Sequence, residues 1–247
     1  AARPSGRRAE VLRTDEWRWW PLAPWLLWQG LDARARVPRL PAAADGEGEC
    51  AGAGPPLELL GLGDSTIAGV GCASHREAVT GATAAFVARR SGRAVRWAAH
   101  GVSGFTAAEV RARLPATVRR PADAVVLSVG VNDAVRGRAP RAFAADLVAI
   151  VDALQAASRE HGRRLRVVYA GMPPVGSFPA LRWPLAGLLA QRARALTAAA
   201  DAALAGRAAV VRFPRSLGRE DFASDGFHPG PAGCARWAEW IGAHLLD

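Results

Sequence analysis

The sequence predicts a three-layer α/β/α fold built on a five-stranded parallel sheet. Three observations carry that expectation. From Leu57 to the C-terminus, short apolar runs alternate with stretches of helical spacing. Alternation of this kind builds right-handed βαβ units, whose parallel sheet must be covered on both faces. The chain has 247 residues, 50% apolar and 22% charged, enough for one packed core and too apolar for disorder.

The elements follow in order. Leu57–Gly63 is an apolar run closed by glycine, the first predicted strand. Glu77–Arg90 places Val79, Ala82, Phe86 and Val87 on or near one helical face. Val95–Ala99 reads as the second strand. Thr106–Leu114 reads as a helix with Thr106 as N-cap and Glu109 completing a capping box. Ala124–Val129 is a buried strand, Arg141–His161 a long amphipathic helix and Leu165–Ala170 the fourth strand. Trp183–Ala205 is helical, Ala208–Phe213 is the fifth strand and Pro231–Leu246 the closing helix. Parallel sheets of this kind bind ligands at the carboxyl ends of their strands, so functional residues are expected just after them.

Residues 1 to 56 have a different texture and are expected to form an arm and linker outside a catalytic domain spanning 57 to 247. Trp17, Trp19, Trp20, Trp25 and Trp28 crowd one short segment, with Arg13, Arg18, Arg34 and Arg36 around it. Three readings fit: an interfacial anchor giving peripheral membrane contact, a signal-peptide remnant, or an arm burying its aromatics against the domain. The segment is too short to span a bilayer, which needs about 20 apolar residues. A Pro/Ala/Gly-rich linker is expected from Val37 to Pro56.

A net charge of +10 raises nucleic-acid binding, but all 32 basic residues are Arg and they are spread along the chain. An electrostatic footprint would be clustered, so no nucleic-acid partner is expected. Cys50, Cys72 and Cys234 are too few and too scattered for a disulfide framework or a zinc site.

Four short segments, each just after a predicted strand or before a helix, carry the chemistry. Gly63-Asp64-Ser65 can present a hydroxyl at a strand's carboxyl end, although alone it is ordinary turn chemistry. Ser103-Gly104-Phe105-Thr106 precedes a helix, where backbone N–H groups are free to meet a ligand; Gly101 is an alternative donor position. Gly130-Val131-Asn132-Asp133 contains the only asparagine of the chain, and its amide can donate to a developing oxyanion. Asp225-Gly226-Phe227-His228 lets a carboxylate reach the Nδ1 of a histidine one turn away, leaving Nε2 to take a proton. The chain lacks the third glycine of a dinucleotide fingerprint, a Walker A pattern and a Gly-x-Ser-x-Gly elbow.

In this order the four segments resemble the blocks of the SGNH hydrolase superfamily, the GDSL-type lipases and esterases, over residues 57 to 247. The resemblance implies a flavodoxin-like strand order 2-1-3-4-5, no metal and no organic cofactor. It implies Ser65 as nucleophile, His228 as general base and Asp225 as its orienter. The oxyanion hole would comprise the Ser65 and Gly104 N–H groups and the Asn132 side chain. The expected activity is hydrolysis of short- to medium-chain or lipid-like esters by an acyl-serine route. Thioesterase, lysophospholipase and carbohydrate acetylesterase activities occur in the same family. The reading from another class is a membrane-surface binding protein with a vestigial site. The expected partner is a small-molecule or lipid ester, with the oligomeric state left open and a cytoplasmic or peripheral location favoured.

Apolar residues near the blocks, Phe105, Val131, Pro173, Phe178 and Phe227, are expected to contact an acyl group, with the 171–183 loop as the main contact segment. His75 is expected to be a solvated helix-start residue, while Asp64 and Asp133 are expected to hold loops through backbone bonds.

Overall fold

The computed structural model describes residues 16–117, 122–213 and 217–246. The sheet contains β1 (Glu47–Cys50), β2 (Ala53–Gly63), β3 (Arg93–Gly101), β4 (Ala124–Ser128), β5 (Arg166–Tyr169) and β6 (Ala209–Val210). Their spatial order is β1-β3-β2-β4-β5-β6. The last five are parallel and reproduce the expected 2-1-3-4-5 order. Among the described residues the sheet has six strands rather than five. The extra one, β1, lies in the stretch read as linker and runs antiparallel along the outer edge of β3, from Glu47 opposite Ala98 to Cys50 opposite Val95. Its sequence, Glu-Gly-Glu-Cys, carries no apolar alternation, so backbone pairing rather than pattern makes it a strand.

Helices α2 (Val79–Ser91) and α7 (Pro231–Leu246) pack together, while α3 (Ala107–Thr117), α5 (Pro140–Glu160) and α6 (Leu185–Leu204) form a second contacting group. All five strand residues of β4 are buried, which is why that run shows no alternation. The approach of α2 to the sheet is close: a Cβ at Gly61 would collide with the Thr80 side chain. A short helix, α4 (Val131–Val135), follows β4 and was not anticipated. Five residues give too little periodicity to read.

The arm is also structured. A 3₁₀ turn over Glu16–Leu22 leads into α1 (Ala23–Arg36). Pro24 falls in the first turn of α1, where proline's fixed φ suits a helix and its missing N–H costs nothing. The segment between α1 and β1 lies on the turn that follows β2. Ala43 N–H donates to Ala68 O at 3.0 Å, and His75 N–H to Ala44 O at 2.9 Å. His75 is accordingly buried rather than solvated, its ring nitrogens 2.9 Å from Ala44 O and 3.2 Å from Ile67 O.

Candidate active site

Strand β2 ends at Gly63, whose φ of 155° and closeness to Ser128 O leave no room for a side chain. The chain then turns tightly: Ala68 N–H donates to Asp64 O at 2.9 Å and Val70 N–H to Ser65 O at 3.0 Å. This turn holds Ser65 at the carboxyl end of the central strand, nearly buried. Asp64 fixes the turn from within by accepting the Thr66 N–H at 3.0 Å. Burial drives the Asp64 carboxyl up to about 6, against the lowering effects of that bond and of His228.

The histidine loop runs from Phe222 to α7. Gly226 takes a φ of 64°, and Ala223 N–H donates to His228 O at 2.8 Å to close the loop. Asp225 Oδ1 accepts two backbone N–H groups, from Phe227 at 2.9 Å and His228 at 3.0 Å. Asp225 Oδ2 lies 2.6 Å from His228 Nδ1, and His228 Nε2 lies 3.1 Å from Ser65 Oγ. Burial alone would raise the Asp225 carboxyl, but the imidazole and these two N–H groups outweigh it and hold it below its usual range. A continuous chain thus runs from a buried carboxylate through an imidazole to a hydroxyl.

Beside it lie three candidate donors. The Ser65 and Gly104 N–H groups donate to no acceptor among the described residues. Gly104 has φ 85° and open space where a Cβ would be. Gly101, the alternative position, is instead pressed against the Ile67–Ala68 backbone at the end of β3. Asn132, on α4, gives one amide hydrogen to Phe105 O at 3.0 Å and keeps a second.

The Gly104 loop is braced by a residue that sequence reasoning did not single out. Arg136, one of many arginines, donates to Gly104 O at 2.8 Å and to both Glu109 oxygens at 3.1 and 3.2 Å. Glu109 in turn accepts the Thr106 N–H and hydroxyl, each at 2.7 Å, forming the expected capping box. These Thr106 bonds, then Arg136, lower the Glu109 carboxyl to about 2. Asp133 accepts the Ala107 N–H at 3.0 Å at the start of α3, and burial raises its carboxyl to about 6.

The residues expected to meet an acyl group fall into two sets. Phe105, Val131 and Phe227 are half-buried. Phe227 stands edge-on to His228, with ring centroids 5.2 Å apart. Pro173 and Phe178 are buried. Phe178 supports Phe227 and Phe222 edge-on at 5.2 Å, within the 171–183 loop. The Cys72 and Cys234 sulfurs meet 3.6 Å apart as free thiols, between the serine turn and the first turn of α7. Among the described residues no group of three or more His, Cys, Asp or Glu side chains is arranged to hold a metal ion.

Comparison with known proteins bears on the family and the fold. The family model described as GDSL-like lipase/acylhydrolase matches residues 62–236. A GDSL-like esterase of Mycobacterium tuberculosis is 31% identical over 254 residues, covering 90% of this chain and 76% of the relative. The crystal structure of TesA superposes with a TM-score of 0.56 at 24% identity, covering 76% of this chain and 97% of that one. A lipase from a goat rumen metagenome superposes with a TM-score of 0.61 at 16% identity, covering 76% and 97%. These two structural likenesses speak for the fold alone. The protein is a hydrolase acting on ester bonds. It belongs to the GDSL-like lipase/acylhydrolase family.

Proposed function

We propose that the protein hydrolyses carboxylic esters of short- to medium-chain or lipid-like acyl groups through an acyl-Ser65 intermediate. The observation that carries this is the Asp225–His228–Ser65 chain with its unoccupied N–H donors alongside. In this reading His228 Nε2 takes the Ser65 proton as Oγ attacks the ester carbonyl. The carbonyl oxygen, now negative, accepts from the Ser65 and Gly104 N–H groups and from the second Asn132 amide hydrogen. Asp225 keeps the imidazole in the tautomer with Nε2 open and stabilises the imidazolium. His228 then returns the proton to the departing alkoxide, leaving the acyl group on Ser65. Water repeats the sequence: it gives His228 a proton, attacks the acyl carbon, and Ser65 leaves with that proton as the acid is released.

The half-buried Phe105, Val131 and Phe227 favour an acyl chain over a bare sugar ester. The test pairs a fluorophosphonate probe with a p-nitrophenyl ester chain-length series. The wild type should be labelled at Ser65 and Ser65→Ala should be unlabelled, with activity reduced by a factor of about 10⁴ or more. Retention by Ser65→Ala of more than about a hundredth of the wild-type rate would remove Ser65 as nucleophile. A wild type that neither labels nor turns over any ester would favour a vestigial site.

A further inference from the structure

Helix α1 turns its apolar face outward. Leu27, Trp28 and Leu31 share one helical face and are 67%, 51% and 60% exposed. The opposite face carries Gln29, which is 5% exposed. Its amide donates to Trp183 O at 2.8 Å and accepts the Leu185 N–H at 3.0 Å. A surface helix ordinarily does the reverse, hiding its apolar stripe and wetting its amides.

The preceding turn repeats the pattern. Trp19 faces inward, donating to Gln191 at 2.8 Å, and Glu16 binds Arg192 through both oxygens at 3.0 Å. Trp17 and Trp20 face solvent. Trp183, 72% exposed, adjoins this surface: its indole nitrogen and the Trp19 ring both border Gly187. Trp25, on the same helix, is 55% exposed with its ring 5.3 Å from that of Trp28, and the other large exposed apolar side chains among the described residues are only Val135 and Leu246. The arm is therefore fixed to α6 by polar bonds and by Trp19, while Trp17, Trp20, Trp25 and Trp28 are exposed. Of the readings the sequence allowed, packing accounts for its inner face and leaves its outer face unexplained.

We propose that this outer face docks on a bilayer surface containing anionic lipid. Tryptophan rings are amphipathic and gather at the boundary between headgroups and acyl chains. Exposed arginines lie on the same segments: Arg18 and Arg34 on the arm and Arg39 at its exit, with Arg36 and Arg182 reaching the Asp32 carboxylate at 2.7 and 3.9 Å. The nearby carboxylates are already engaged, Glu16 by Arg192 and Asp32 by Arg36. Arg13 lies outside the described residues. A second copy of this chain is the poorer occupant, because each copy carries a net charge of +10. Among the described residues no helix is long and apolar enough to cross a membrane. The Trp183 end of the patch terminates the 171–183 loop, whose Ala180 N–H donates to Gly226 O at 3.0 Å in the histidine loop. Docking would thus bring a lipid surface to the side of the molecule where the site loops lie. The docking itself does not depend on Ser65 being the nucleophile.

The experiment uses the full chain and a Trp20→Ser/Trp28→Ser/Leu31→Ser variant, all exposed positions outside the site. Both are sedimented with vesicles of phosphatidylcholine alone and of phosphatidylcholine with phosphatidylglycerol. Hydrolysis of p-nitrophenyl acetate, measured in parallel, reports whether the variant is folded. The wild type should sediment with the anionic vesicles, and the variant should partition about tenfold more weakly with unchanged hydrolysis. A wild type that stays in the supernatant overturns the proposal whatever the variant does. So does equal sedimentation of the two proteins, or a wild-type dimer in size-exclusion chromatography that the variant converts to monomer. Loss of ester hydrolysis by a wild type that still binds vesicles would sink the catalytic reading alone.

Discussion

In the proposed mechanism Asn132 serves both structure and chemistry. One of its amide hydrogens ties down the Phe105 carbonyl, which fixes the loop bearing Gly104. The other is the one that would meet the oxyanion. Asn132→Ala should therefore lower kcat by a factor of about 10²–10³, with a smaller change in KM. An unchanged kcat would return Asn132 to a loop-holding role. This residue was legible because asparagine occurs once in the sequence, and the Asp-x-x-His spacing was legible because it fits one turn. Arg136 was not legible. Its bonds to Gly104 O and Glu109 come from tertiary placement, and among 32 basic residues nothing marked it out.

At the level of elements, two glycines in one connection do opposite jobs. Gly101 ends β3 where the backbone of the serine turn passes, with Asp64 O 2.6 Å from a would-be Cβ and Ala68 N closer still. Gly101→Ala must push that turn away from the sheet. Overpacking of this kind costs about 1–3 kcal/mol, so Tm should fall by roughly 2–10 °C and activity should fall with it. Gly104→Ala meets no atom within 4 Å, and its penalty is the strain of a φ of 85°, about 1–2 kcal/mol. It should fold with a smaller change in Tm than Gly101→Ala, as differential scanning calorimetry would show. Equal losses of Tm would mean that steric closeness at Gly101 is not what seats the serine turn. Most helices were legible from their apolar spacing. The short α4 and α1 were not: α4 has too few residues to register as a period, and α1 exposes its apolar residues and buries Gln29, so it lacks the usual core-facing pattern.

For the molecule as a whole, the alternation of elements announced a parallel sheet covered on both faces, whereas the order of its strands came from the family resemblance. Its response to pH could be worked out only from the structure. Asp64 and Asp133 are both raised from an ordinary 3.8 to about 6 by burial. Between those values the folded state holds protons that the unfolded state has released. These two groups therefore favour folding most below about 3.8, and that contribution is lost as pH rises through about 6. Asp225, held low, acts in the opposite sense: its contribution is present above the ordinary carboxylate range and lost as pH falls through the folded value. Asp133→Asn should thus raise Tm at pH 8 relative to wild type, with the gain shrinking below pH 4. A gain of the same size at both pH values would mean that charge burial is not its cause.

The antiparallel strand β1 has a consequence for where this protein can be cut. Its backbone covers Trp97, since a Cβ at Gly48 would stand 2.6 Å from that ring, and it occupies the outer hydrogen-bonding edge of β3. A chain shortened to begin at residue 57 would uncover the indole and leave a bare strand edge, ready to pair with its like in another molecule. It would also lose the backbone bonds from Ala43 and Ala44 that press on the serine turn. A chain beginning at residue 39 would keep all of these. Light scattering should find the shorter protein forming aggregates at concentrations where the longer one stays dispersed. Edge-to-edge association, a hazard native sheets are built to avoid, is here held off by four residues that resemble a spacer.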